Sequence, residues 1–180
     1  YVESDPQIDY EANIRSIGAL VENTCKELGI APPAILMEPG RSIVADSGIT
    51  LYSVTGIKQI PGFKNFVGID GGMTDNPRYA LYGSRYTCFI ANRMDEECTL
   101  CCDLVGRCCE SGDIIQPDVA MPADMTRGEL VAVLTTGAYN YSMASNYNRI
   151  PRPPVVMLRD GDSYVAVRRE TLEDILALDE

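Results

Sequence analysis

The 180-residue sequence has no histidine and no tryptophan. The lack of histidine removes the commonest transition-metal ligand and the usual general base at neutral pH. Any catalysis must draw on carboxylates, cysteine, tyrosine, lysine or a cofactor. Long hydrophobic runs are also missing. Runs such as those at 34–37 and 155–158 fall far short of the roughly 20 residues a membrane helix needs, so no membrane association is expected. No basic stretch leading into an apolar one opens the chain, so no secretory signal is expected. Positive charge is scarce, with 15 Lys and Arg against 26 Asp and Glu, a net charge of −11. That balance argues against nucleic-acid binding, which needs a surplus of cations. The composition, 46% hydrophobic and 23% charged, is ordinary for a globular protein of about one domain.

Cysteine is plentiful. The seven are Cys25, Cys88, Cys98, Cys101, Cys102, Cys108 and Cys109. The count is odd and two pairs are adjacent, unlike a secreted disulfide framework. Reduced thiols, and so a cytoplasmic protein, fit better. A zinc site spanning 98–109 is the competing reading, since Cys-x-x-Cys knuckles bind zinc. The second pair is vicinal rather than spaced by two, however, and strand alternation explains several thiols as small core hydrophobes. No metal is therefore expected.

Along the chain, Ile14, Ile17, Val21 and Leu28 recur at helical spacing and predict a helix over 10–28, with Asp5-Pro6 as its entry and Gly29 as its stop. The apolar run 34–37 reads as a buried strand ending in a loop, the rhythm of an α/β unit, and Ser42 as the cap of a short helix over 43–46. After Gly48 the rhythm changes. Strands are predicted over 49–60, 65–69, 86–91, 99–105, 129–135, 155–158 and 163–168, separated by turns such as Pro61-Gly62 and Asp70-Gly71-Gly72. Asp160-Gly161 is a strong hairpin signal. A short amphipathic helix closes the chain over 171–178. Many short strands without long intervening helices suggest an antiparallel barrel or sandwich. The expected class is α+β: a mainly antiparallel β domain at 48–180, preceded at 1–47 by one α/β unit that cannot bury both faces of its strand alone.

Four polar clusters lie in predicted loops. Glu38-Pro39-Gly40-Arg41 offers exposed backbone N–H groups beside a planar cation, a combination suited to phosphate or carboxylate; a turn with an ion pair is the plainer alternative. In Asp75-Asn76-Pro77-Arg78-Tyr79-Ala80-Leu81-Tyr82, a helix starting at Pro77 would put Arg78 and Tyr82 on one face. Cys108-Cys109-Glu110-Ser111-Gly112-Asp113 sets thiols beside two carboxylates. The fourth runs from Gly137-Ala138-Tyr139 to Asn148 and is followed by Pro151-Arg152-Pro153-Pro154. Each also reads as ordinary loop chemistry.

Together and in this order, these motifs closely resemble the diaminopimelate decarboxylases, pyridoxal-phosphate enzymes of the alanine-racemase-like class. The resemblance covers essentially the whole sequence. It implies that 1–47 is the end of a (β/α)8 cofactor barrel and 48–180 the C-terminal β domain. It further implies that Glu38, Pro39, Gly40 and Arg41 close over the cofactor phosphate, and that Arg41 also reaches a substrate carboxylate. Arg78 and Tyr82 fall on substrate-binding positions, Cys109 on the proton donor, Glu110 on the residue meeting the distal ammonium, and Tyr139 at both cofactor and substrate. Cys108 reads as packing. The family acts as a homodimer whose Cys-Glu loop completes the partner's site.

The sequence departs from the family in four features. Its only lysines are Lys26, Lys58 and Lys64, none in the context of the family's Schiff-base lysine. The ring-stacking histidine and the glycine-rich phosphate loop are not found. Tyr79 stands where the family commonly has proline. The 180 residues alone are therefore expected to be inactive. The expected function is that of the C-terminal part of an enzyme converting meso-diaminopimelate to L-lysine and CO2. The alternatives are a non-catalytic dimerisation or binding module, or a related decarboxylase acting on arginine, ornithine or carboxynorspermidine.

Overall fold

A computed structural model describes Val2 and residues 4–180. Helix α1 (Tyr10–Leu28) starts at Asp9, whose side chain accepts the Ala12 N–H at 2.9 Å, and ends at Gly29, left-handed at φ 66°. The expected entry at Asp5-Pro6 lies four residues too early. Capping needs a carboxylate within reach of the third helical N–H, and Asp9 supplies it.

Residues 34–37 form no strand, and Leu36 is 93% exposed. A parallel strand exists only between neighbouring strands, and no described element pairs with this run. The short helix α2 (Arg41–Val44) follows directly on Gly40, and a 3-10 turn (Ala45–Ser47) continues it. Ser42 lies inside the helix instead of capping it.

The sheet domain contains β1 (Thr50–Gln59), β2 (Asn65–Ile69), β3 (Cys88–Ile90), β4 (Leu100–Val105), β5 (Ile114–Met121) and β6 (Leu130–Val133), in spatial order β3-β6-β1-β2-β4-β5. All neighbours are antiparallel except the β2–β4 pair. All seven strands expected after Gly48, five of them in this sheet, appear within two residues of their predicted ends. β5 was not expected: Pro117 interrupts it, Gln116 is buried, and Asp118 has φ 51°, so its period-two pattern is broken. These same irregular residues join the sheet's edges. Gln116 Oε1 accepts the Tyr86 N–H at 2.8 Å, and the Pro117 carbonyl accepts from Arg85 at 2.9 Å. The edges β3 and β5 thereby meet, and the sheet curls into a nearly closed barrel. Its interior is Val54, Val67, Ile69, Ile90, Leu104, Ile115, Met121, Val131 and Val133, all buried.

The β7 (Val155–Arg159) and β8 (Asp162–Val167) hairpin turns at Asp160 (φ 52°) and Gly161 (φ 88°), the mirror-image turn its sequence calls for. Arg152 and Asn146 both bond to Glu170 and anchor the hairpin's two ends. Helix α4 (Leu172–Leu176) begins in a capping box formed by Thr171 and Asp174.

Two glycines fix the α2 segment to the sheet domain. A β-carbon on Gly48 would lie 2.3 Å from the Gly137 backbone, and one on Gly137 would lie 1.9 Å from the Val44 carbonyl oxygen. The Gly137 N–H donates to the Ala45 carbonyl at 3.0 Å and the Thr136 N–H to Gly48 at 2.9 Å. This close approach carries the 38–41 loop to the start of the 137–148 loop.

Candidate functional site

Helix α3 (Arg78–Tyr82) starts after Pro77 and ends at left-handed Gly83. One helical turn separates Arg78 from Tyr82, and the guanidinium carbon lies 4.3 Å from the centre of the Tyr82 ring. The same carbon is 5.8 Å from the Tyr139 ring, and the Arg41 guanidinium carbon approaches that ring to 5.1 Å. Two cations drawn from separate segments therefore share one aromatic ring, an arrangement stabilised by the ring quadrupole. Tyr139 has φ 63°, a backbone conformation costly for an aromatic residue, and such strain concentrates at ligand sites.

Gly40 adjoins the same tyrosine. A β-carbon there would stand 2.0 Å from the Tyr139 hydroxyl oxygen. Gly40 and Arg41 are half-buried, while Glu38, Pro39, Tyr82 and Tyr139 are exposed. The structure thus gathers Gly40, Arg41, Arg78, Tyr82 and Tyr139 into one cationic, aromatic patch. Its chemistry fits anions: a phosphate beside Arg41 at the 38–41 loop and a carboxylate at Arg78.

Cys109 and Glu110 form a second, exposed group. The Cys109 N–H donates to Asn148 Oδ1 at 2.7 Å, and its carbonyl accepts from the Tyr147 hydroxyl at 3.5 Å. Glu110 Oε1 accepts from Ser111 and from the Gly112 N–H within its own loop. Asn148 is left-handed at φ 55°, which asparagine tolerates better than most residues. At Cys108, burial reinforced by a hydrogen bond to Asp113 pushes the thiol up to about 11. It therefore stays protonated at neutral pH, in keeping with a packing role. Among the described residues, no group of three or more His, Cys, Asp or Glu side chains is placed to hold a metal ion. Nor is any helix among them long and apolar enough to cross a membrane.

Two buried carboxylates, inside the quoted motifs but assigned no role there, hold the loops in place. Asp113 accepts the N–H of Met73 at 2.6 Å and of Cys108 at 2.7 Å. It couples the Asp70-Gly71-Gly72 turn to the cysteine loop, and Gly72 and Gly106 leave room for its carboxylate. Asp75 accepts the Tyr52 hydroxyl at 2.5 Å and the Gly72 N–H at 3.1 Å. Burial raises the pKa of Asp75 and pushes that of Tyr52 well up, the latter aided by the adjacent carboxylate. No local pattern distinguishes these acids from solvated loop residues, because only the tertiary fold buries them.

Residues 8–137 match the family of the pyridoxal-dependent decarboxylase C-terminal sheet domain. The chain belongs to this family. Over 179 residues, 99% of its length, it is 45% identical to the diaminopimelate decarboxylase of Bacillus subtilis, and over 183 residues 39% identical to that of Mycobacterium tuberculosis. It spans about 40% of the length of these relatives. The fold is also similar to solved structures. It superposes with a TM-score of 0.85 on the M. jannaschii diaminopimelate decarboxylase in complex with L-lysine, at 29% identity, covering all of this chain and 40% of that one. The Helicobacter pylori enzyme complexed with L-lysine gives 0.80 at 33% identity, covering 98% and 41%. The decarboxylase family thus accounts for both the barrel-like sheet and the loops on its rim.

Proposed function

We propose that this chain is the C-terminal part of a diaminopimelate decarboxylase, which converts meso-diaminopimelate to L-lysine and CO2 in lysine biosynthesis. The observation that carries this reading is the joint stack of Arg41, Arg78, Tyr82 and Tyr139. Support comes from relatives named for that activity across nearly the whole chain. In this reading 1–47 ends a cofactor barrel, 48–180 is the sheet domain, and the cytoplasmic enzyme is a homodimer.

The residues present fit pyridoxal phosphate. Gly40 lets the Tyr139 hydroxyl come up against the 38–41 loop, and Arg41 supplies the cation for the phosphate. Glu38, Pro39, Gly40, Arg41 and Tyr139 would hold it. When bound, the cofactor withdraws the electron pair left behind as the substrate's carboxylate departs as CO2. The lysine that anchors it lies in the part of the relatives this chain does not span.

The chain's own residues do the rest. Arg41 and Arg78 bind the carboxylate at the unreacting end of the substrate, and Tyr82 holds Arg78 in place through its ring. Glu110 meets the distal ammonium. An unreacting end that is itself an amino acid needs both a cation and an anion, and this chain supplies both. The Cys109 thiol, exposed at a loop apex, returns a proton to the carbon from which CO2 departed. Cys109 and Glu110 make their hydrogen bonds within their own loop and to Asn148 and Tyr147, so in this reading they serve the partner subunit's site.

The test is turnover by the intact enzyme with pyridoxal phosphate. Release of CO2 and L-lysine from meso-diaminopimelate, with at most 1% of that kcat/KM on ornithine, arginine or carboxynorspermidine, is expected. Preference for one of those three would overturn the assignment.

A further inference from the structure

Two asparagines beside the arginine–tyrosine stack are buried more deeply than any residue in it. Asn76 is 1% exposed and Asn140 is 3% exposed. Asn76 lies two residues before Arg78, and its Oδ1 accepts the Arg78 N–H at 3.4 Å. Asn140 follows Tyr139 directly, and its Oδ1 accepts the Tyr86 hydroxyl at 3.4 Å. Its carbonyl accepts the Met143 N–H at 3.1 Å, and the Met143 sulfur in turn receives Arg78 Nη1 at 3.6 Å. The two asparagines therefore reach Arg78 from separate loops, Asn76 at its backbone N–H and Asn140 by way of Met143.

The oxygen ends of both side chains are used, while both Nδ2 groups are buried with no acceptor among the described residues. The same holds for Arg78 Nε. A buried N–H without an acceptor costs its full desolvation, and native proteins rarely leave one so. A packing role alone would be filled as well by leucine or methionine. All three groups are donors, so the group that satisfies them must be an acceptor. Buried water is the usual one where several polar groups lack partners.

We infer that Asn76 and Asn140 are positioning residues for Arg78: buried water, each molecule accepting at most two of these N–H groups, satisfies their Nδ2 groups and Arg78 Nε and fixes the guanidinium for a carboxylate ligand. This rests on the reading of Arg78 as a carboxylate-binding residue. Without the water the long side chain would keep its rotamer freedom, and binding would bear the cost of ordering it.

The test uses the intact, cofactor-loaded enzyme with Asn76→Asp and Asn140→Asp, which keep the shape but replace a donor with an acceptor. KM for meso-diaminopimelate and the inhibition constant of L-lysine should rise together by about tenfold or more, with little change in kcat and an unchanged spectrum of the bound cofactor. In an Arg78→Lys background the same substitutions should add less than twofold, because they act through Arg78. If the aspartate variants do not fold, Asn76→Ser and Asn140→Ser carry the same test. Unaltered KM and lysine inhibition in folded variants, or effects that add to Arg78→Lys, would overturn the inference. A wild-type enzyme that binds L-lysine but does not turn over diaminopimelate would overturn the proposed substrate alone, and lysine affinity would then still judge the two asparagines.

Discussion

Gly40 lies so close to Tyr139 that a β-carbon on it would meet the tyrosine hydroxyl oxygen at 2.0 Å and Cζ at 3.2 Å. The ring cannot retreat freely, because its backbone is already left-handed at φ 63° and both Arg41 and Arg78 lie against it. Gly40→Ala should therefore shift the ring and the two cations together. We expect cofactor affinity and kcat/KM in the intact enzyme to fall about 10-fold to 100-fold, as misplacements near 1 Å do. Adding Tyr139→Phe, which removes the clashing oxygen, should recover part of the loss. The double-mutant cycle, read by cofactor titration, checks the coupling.

Asp113 is 4% exposed and takes two backbone N–H groups from different loops. Charge-assisted hydrogen bonds of this kind contribute about 1.5–3 kcal/mol each. Asp113→Ala should destabilise the protein by about 3 kcal/mol or more, and Asp113→Asn by less, since one acceptor oxygen remains. Urea unfolding of both variants measures this. Equal stabilities would mean the two loops do not depend on the carboxylate.

The Arg152 guanidinium and backbone N–H hold the Glu170 carboxyl down at about 2, against an ordinary value of 4.5. A depressed carboxyl stabilises the fold fully above the unfolded value and loses that stabilisation as pH falls through the folded one. The thermal midpoint should therefore drop steeply between pH 4.5 and pH 2, partly through this residue. Glu170→Gln should flatten that stretch while lowering stability at pH 7. Melting curves across the range, wild type against variant, decide the sign.

Much of this was legible in the sequence where a local rule applied. Asp160-Gly161 specifies its turn alone, and Pro77 followed by Arg78 and Tyr82 four apart specifies a helical face. The strand at 34–37 failed because no described element pairs with that run, and β5 was missed because Pro117 and Gln116 are there to join the barrel's edges. At the site, the arginines and tyrosines could be read from their motifs. Asp75, Asn76, Asp113 and Asn140 lie in the same motifs, but their roles could not be read there, since a buried polar side chain looks like a solvated one until the fold encloses it.

The central claim is that this chain brings Arg41 to one site and Cys109 to its partner's. Mixing an inactive Arg41→Ala enzyme with an inactive Cys109→Ala enzyme tests it most directly. In a dimer with shared sites, random reassortment makes half the dimers mixed, and each mixed dimer carries one intact site. We expect about a quarter of wild-type activity to return. If both residues serve the site of their own subunit, every site in the mixture carries a defect, and activity that stays at the level of the single variants would contradict the claim.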